Sequence, residues 1–129
     1  ATKSFQAIRM FINDEINELN NGLIASEKFL KFGGILCVVS FHSKEDRIVK
    51  NFLKVCQGKS KLFISKFLPP QKNSKKSFEI ITKKPILPSA EEIKINNKAR
   101  SAKLRMAKRT EFSPIFNSEV AAWLKQLIF

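Results

Sequence analysis

The chain has no tyrosine, one histidine, one tryptophan, two cysteines and four glycines among its 129 residues. Each scarcity excludes something. One histidine and two cysteines, with no Cys-x-x-Cys pair, leave no donor set for a zinc site. Cys37 lies inside the run Ile35-Leu36-Cys37-Val38-Val39 and Cys56 ends an amphipathic stretch. Both are expected as small buried hydrophobes, reduced as in a cytosolic compartment. The glycines never form Gly-x-Gly-x-Gly, so no loop of the kind that cradles a nucleotide is present. No apolar run approaches the roughly 20 residues that span a bilayer. Acids are also few, with 11 Asp and Glu against 24 Lys and Arg, a formal net charge of +13.

That excess draws polyanions and speeds encounter with them, which makes nucleic acid the leading partner. A plain lysine-rich solvated surface explains the charge equally well. Hydrophobic residues make up 43% of the chain, enough for one small domain with a core. The chain opens on Ala1 with no signal or transit pattern behind it, which suggests a piece of a longer chain.

Residues 2–31 read as helix. Phe5, Ile8, Ile12, Ile16, Leu19 and Leu23 form an apolar stripe at three- and four-residue steps. Gln6, Arg9, Asn13, Asn17 and Asn20 form a polar one, with Asn21-Gly22 as the weak point. Gly33-Gly34 ends the helix. The apolar run 35–41 predicts a strand covered on both faces, as in the middle of a parallel sheet. Ser43-Lys44-Glu45-Asp46 resembles a capping box, opening a helix that buries Ile48, Val49, Phe52, Leu53 and Cys56. This order is a βα unit of a doubly wound α/β fold. Residues 57–77 read as a basic connection with a short strand at 62–64. A strand follows at 78–83, stopped by Pro85 and Pro88. Ser89-Ala90-Glu91-Glu92 caps a short helix, 99–109 reads as a strongly basic helix, and 112–129 as a tail with an amphipathic helix at 119–129. Most of the 12 phenylalanines are expected in the core.

Four stretches carry a family resemblance: Ala1-Thr2-Lys3-Ser4-Phe5-Gln6-Ala7-Ile8-Arg9, Asn13-Asp14-Glu15-Ile16, Ser40-Phe41-His42-Ser43-Lys44-Glu45-Asp46-Arg47-Ile48-Val49-Lys50, and Ala99-Arg100-Ser101-Ala102-Lys103-Leu104-Arg105. Thr82-Lys83-Lys84-Pro85 and Pro88-Ser89-Ala90-Glu91-Glu92-Ile93 fall between them in order. Over roughly residues 1–110 the chain resembles the carboxy-terminal portion of the MraW/RsmH family of ribosomal RNA methyltransferases. The resemblance implies a partial class I, Rossmann-like methyltransferase fold in residues 1–111, with S-adenosylmethionine as donor. It implies transfer to N4 of a cytosine in 16S ribosomal RNA of the small subunit, in a bacterial cytoplasm or an organelle of bacterial descent. In the family the Gly-rich donor loop lies upstream, so the missing amino-terminal half is an implied partner and the chain alone is expected to be inactive. Lys44 departs from the family's leucine, 95–98 replaces a Glu-Asn-Pro-Arg-like stretch, and the segment after Thr110 shows no recognisable counterpart.

Reacting groups in doubly wound folds gather at the carboxyl ends of strands. That makes Ser40, His42, Ser43 and Arg47 the substrate-pocket candidates. His42 serves either substrate or its own turn. Glu45 and Asp46 fit best as first-turn acids of a helix. Lys50, Arg100, Lys103, Arg105 and Arg109 are the candidates for phosphate contact. Gln6, Arg9 and Asn13 line the site or face solvent. No proton acceptor is assigned. The competing reading is a non-catalytic basic RNA-binding or ribosome-associated module.

Overall fold

The computed structural model describes residues 2–57 and 76–116. The basic connection over 57–77, the strand at 62–64 and the helix at 119–129 lie wholly or almost wholly outside them. In chain order the elements are α1 (Thr2–Ile12), α2 (Glu15–Phe29), β1 (Ile35–Ser40), α3 (Ser43–Cys56), β2 (Phe78–Ile80), α4 (Ala90–Ile95), a 3-10 helix (Asn97–Ser101) and β3 (Lys103–Arg109).

The expected single helix at the start is two. It breaks at Asn13-Asp14, where Asp14 takes a left-handed φ of 50°. Aspartate tolerates that conformation better than most residues, because its short polar side chain bonds locally. Here the Asp14 carboxylate accepts from Asn17 Nδ2 at 2.9 Å. Asn21-Gly22, the expected weak point, sits inside an unbroken α2. Gly33 ends the turn into β1 at φ 84°, where a side chain is strained, and its N–H donates to the Arg109 carbonyl at 2.9 Å.

β3 lies between β1 and β2 and runs antiparallel to both. β1 and β2 are therefore parallel to each other, with α3 between them in sequence. Among the described residues β1 is an edge strand, not the doubly covered central strand expected. Its side chains alternate: Leu36 and Val38 pack on the core, whereas Ile35, Cys37 and Val39 are exposed. Cys37 is thus exposed, and only Cys56 is buried.

The expected basic helix at 99–109 is a 3-10 turn followed by β3. Pairing with β1 on one side and β2 on the other decides this outcome, and burial then alternates along the strand. Arg105, Ala107 and Arg109 are buried on one face, and exposed Lys108 points away from it. The strand expected over 78–83 is regular only to Ile80, but Ile86 still pairs with Leu104 of β3.

α3 supplies the centre of the core, as its apolar spacing predicts. Ile48, Val49, Phe52, Leu53, Val55 and Cys56 are buried with Leu23 of α2, Phe78 of β2 and Ala107 of β3. Phe52 sits between two rings, Phe78 at 6.2 Å edge-on and Phe116 at 5.1 Å. Burying a side chain of this size contributes about 1.5–3 kcal/mol. Most of the other described phenylalanines are exposed, including Phe5, Phe11, Phe29, Phe32 and Phe41. The expectation that phenylalanine is mainly core fails outside α3 and its partners.

The buried charged groups of this core are partnered, whereas the buried Asn20 side-chain oxygen has no hydrogen-bond partner. The fully buried Glu27 carboxylate accepts from the Cys56 thiol, the Ser77 hydroxyl and the Phe116 N–H. The Arg109 guanidinium donates to the carbonyls of Glu27, Ser77, Thr110 and Phe112. Burial raises the Cys56 thiol well above its ordinary value, and the Glu27 carboxylate adds to the shift.

Candidate functional site

The turn between β1 and α3 holds three of the four pocket candidates. Ser40 closes β1 and is buried. His42 is extended and caps α3, its Nδ1 accepting from the Glu45 N–H at 3.4 Å. Glu45 returns the bond, its carboxylate accepting from the Phe41 N–H at 3.1 Å. The cap therefore begins at His42, one residue before the expected Ser43, and Glu45 closes it on the Phe41 N–H rather than on the cap residue's own. Ser89 behaves as expected, accepting from the Glu92 N–H at the start of α4.

The cap assigns the proton of a neutral His42 ring to Nε2, because Nδ1 is the acceptor. Nε2 lies 3.2 Å from Glu45 Oε1, close enough for an ion pair. The direction is wrong for a hydrogen bond, and Nε2 has no directed partner. His42, Glu45 and Glu15 bring ligand-type atoms within 4.8 Å of one another. A cation there needs a free lone pair on Nε2, which the cap denies. Glu15 is also paired with Arg9 at 3.2 Å. Polar cross-bracing of the turn explains this cluster without a metal.

His42, Ser43 and Lys44 form one wall of a cleft of about 570 Å³. The other wall is α1 and the start of α2, through Lys3, Gln6, Ala7, Met10, Phe11, Asp14 and Ile16. The polar stripe of α1 thus faces the site through Gln6. Arg9 and Asn13 are exposed and outside the lining. The apolar stripe is turned outward: Phe5, Ile8 and Ile12 are 71%, 55% and 73% exposed.

The phosphate-contact candidates divide. Lys50 is exposed on α3 and Arg100 on the 3-10 turn, while Arg47, the fourth pocket candidate, is exposed on α3 and outside the cleft lining. Lys103 is half-buried and stands directly opposite Ser40 in the β1–β3 register. Strand pairing thereby brings a lysine 63 positions along the chain to the carboxyl end of β1, which no local pattern reveals. Arg105 and Arg109 point the other way from the expected surface track. Arg105 is buried and makes a two-pronged bond to Asp46, with Nε and NH2 donating at 2.7 and 3.0 Å. Arg109 is occupied by four carbonyls. Both guanidiniums are committed inside the fold, because an unpaired buried charge is too costly to leave.

Asp46 is the counterpart that sequence reasoning undervalued. The hydrogen bond from Arg105 holds its carboxyl below the usual range, against the opposing effect of burial, with Lys103 and Lys50 adding positive field. Its first-turn position was legible; its partner, 59 residues away, was not.

The MraW methylase family model matches residues 1–110. A protein of Nitrobacter winogradskyi described as ribosomal RNA small subunit methyltransferase H is 48% identical over 124 residues, covering 95% of this chain and 37% of that protein. A protein of the same description from Bradyrhizobium diazoefficiens is 44% identical over 127 residues, with the same two coverages. One from Rhodopseudomonas palustris is 52% identical over 110 residues, 85% of this chain and 32% of its own. The chain spans about a third of the length of the curated relatives it matches.

Proposed function

The chain belongs to the MraW methylase family, and on that basis we propose that it is the carboxy-terminal part of a small-subunit ribosomal RNA methyltransferase, which moves a methyl group from S-adenosylmethionine to N4 of a cytosine. The carrying observation is the family match over residues 1–110 together with the position of Ser40, His42 and Ser43 at the carboxyl end of β1. Residues 1–111 belong to the methyltransferase domain and 112–129 to a tail. The expected setting is the bacterial cytoplasm. No described helix is long and apolar enough to cross a membrane.

The described residues do not fit the donor. Gly22 lies within α2, Gly33 serves a left-handed turn, and Gly34 packs where a Cβ would meet the Lys31 carbonyl at 3.0 Å. None opens a cradle after a strand. Donor binding is assigned to the portion of the relatives beyond this chain.

What this chain contributes is placement. An exocyclic cytosine amine is a poor nucleophile, since its lone pair is delocalised into the ring. It reacts only if held in line and if its developing positive charge is met by an acceptor. The braced β1–α3 turn supplies a rigid edge for this, fixed by the His42–Glu45 cap and, one turn into α3, by the Asp46–Arg105 pair. Arg47, Lys50, Arg100 and Lys103 supply the phosphate contacts that set the register of the RNA. Arg105 acts indirectly, by holding Asp46 and hence the start of α3.

The test is a chimera in which this chain replaces the matching segment of the Nitrobacter relative, expressed in bacteria lacking their own enzyme. Nucleoside analysis of small-subunit RNA should recover N4-methylated cytidine. A well-folded chimera that leaves the RNA unmodified would contradict the reading in favour of a non-catalytic basic module.

A further inference from the structure

We infer that the cleft between α1 and the start of α3 is a subsite for single-stranded RNA, drawing a backbone phosphate to Lys3 and Lys44 and seating a base against Met10, Phe11 and Ile16. The inference rests on the RNA-methyltransferase reading and adds a place on this chain where the strand is held.

The cleft measures about 570 Å³ and its two walls belong to different elements, α1 and α3. Each wall carries an exposed lysine, and neither Lys3 nor Lys44 is in an ion pair among the described residues. Lys44 follows directly on the β1–α3 turn, and the pocket candidates His42 and Ser43 line the cleft beside it. Phe11 is 87% exposed although it lines the cleft, so its ring is free to stack. Aromatic faces paired with lysines along a groove are the usual means of holding single-stranded nucleic acid without reading its sequence. Gln6 and Asp14 add polar groups to the lining. Asp14 disfavours an acidic peptide in the same place, whereas a base amine or ribose hydroxyl donates to it. The subsite depends on these side chains and not on the helix end, whose Glu45 N–H is already taken by His42.

The experiment uses the full chain and a fluorescein-labelled short single-stranded RNA of mixed sequence, followed by anisotropy over a range of salt. Lys3→Met and Lys44→Met should each weaken binding by about 3- to 10-fold and flatten the salt slope by about 0.7, the share of one phosphate contact on a single strand. Phe11→Ala should weaken binding of intact RNA by about 10-fold and of an abasic strand hardly at all. Lys94→Met, on α4 outside the cleft, should behave as the unaltered chain. Circular dichroism confirms that the exposed substitutions leave the fold intact. If the unaltered chain binds RNA but the Lys3→Met/Lys44→Met double variant keeps its affinity and slope, the subsite is wrong and the wider reading survives. Displacement of the RNA by a polyglutamate peptide at matching concentration would also overturn the subsite. If the unaltered chain shows no salt-dependent RNA binding, both the subsite and RNA contact by this chain fail.

Discussion

The two faces of the three-stranded sheet present opposite surfaces. On one, Leu36, Val38, Ala107 and Phe78 meet α3, and every buried charge among the described residues has a partner: Asp46 with Arg105, Glu27 with three donors, Arg109 with four carbonyls. On the other, Ile35, Cys37 and Val39 are exposed, with Glu79 paired opposite Lys108. The stripe Phe5-Ile8-Ile12 of α1 is similarly bare. The same residue types that make the first face a core stand exposed on the second. Burial is thus decided by what lies opposite, and the pattern of apolar residues alone does not supply it.

The comparison breaks most sharply at Arg105. Arg105→Ala leaves Asp46 buried without its partner and should cost about 3–5 kcal/mol by urea denaturation. A loss below about 1 kcal/mol would place that pair at the surface. Phe52→Ala, between its two rings, should cost a similar 3–5 kcal/mol or so through the cavity it leaves. Val39→Thr on the open face with Ile8→Ser on the bare stripe of α1 should change the stability of the chain alone by no more than about 0.5 kcal/mol, yet prevent association with the remaining part of a relative.

Acid sharpens the same contrast. The folded Asp46 carboxyl titrates below its unfolded value of 3.8, so its contribution is present above that value. It is lost as pH falls below about 4 toward the folded pKa, since the unfolded state then binds the extra proton. Asp46→Asn should remove this part of the acid sensitivity, which denaturation series at several pH values would show. The two cysteines give the mildest probe. Cys37 should react with a thiol reagent in the native chain, and Cys56, buried and with its thiol held protonated, only on unfolding.

Local rules carried much of the fold. The Gly33 turn, the α3 core face and the Ser89 cap follow from spacing and cap chemistry within a few residues. What failed was non-local. Residues 99–109 carry basic residues at spacings that suit a helix, and only pairing with β1 and β2 selects the strand, turning Arg105 and Arg109 inward. Lys103 beside Ser40 follows from that register alone. The break falls at Asp14 although Asn21-Gly22 is the stronger local signal, because a left-handed aspartate has no distinctive sequence mark. At the site, Ser40, His42 and Ser43 were placed by their position after a strand. Of the three α1 residues weighed between lining the site and facing solvent, Gln6 lines the cleft and Arg9 and Asn13 do not, a division that depends on the helix rotation.

The most direct measurement mixes this chain with the remaining part of the Nitrobacter relative and follows methyl transfer to small ribosomal subunits that lack the modification. Activity in the mixture, absent from either piece alone, is the predicted result. An assembled mixture that transfers no methyl group would contradict the claim that this chain is a working part of the enzyme.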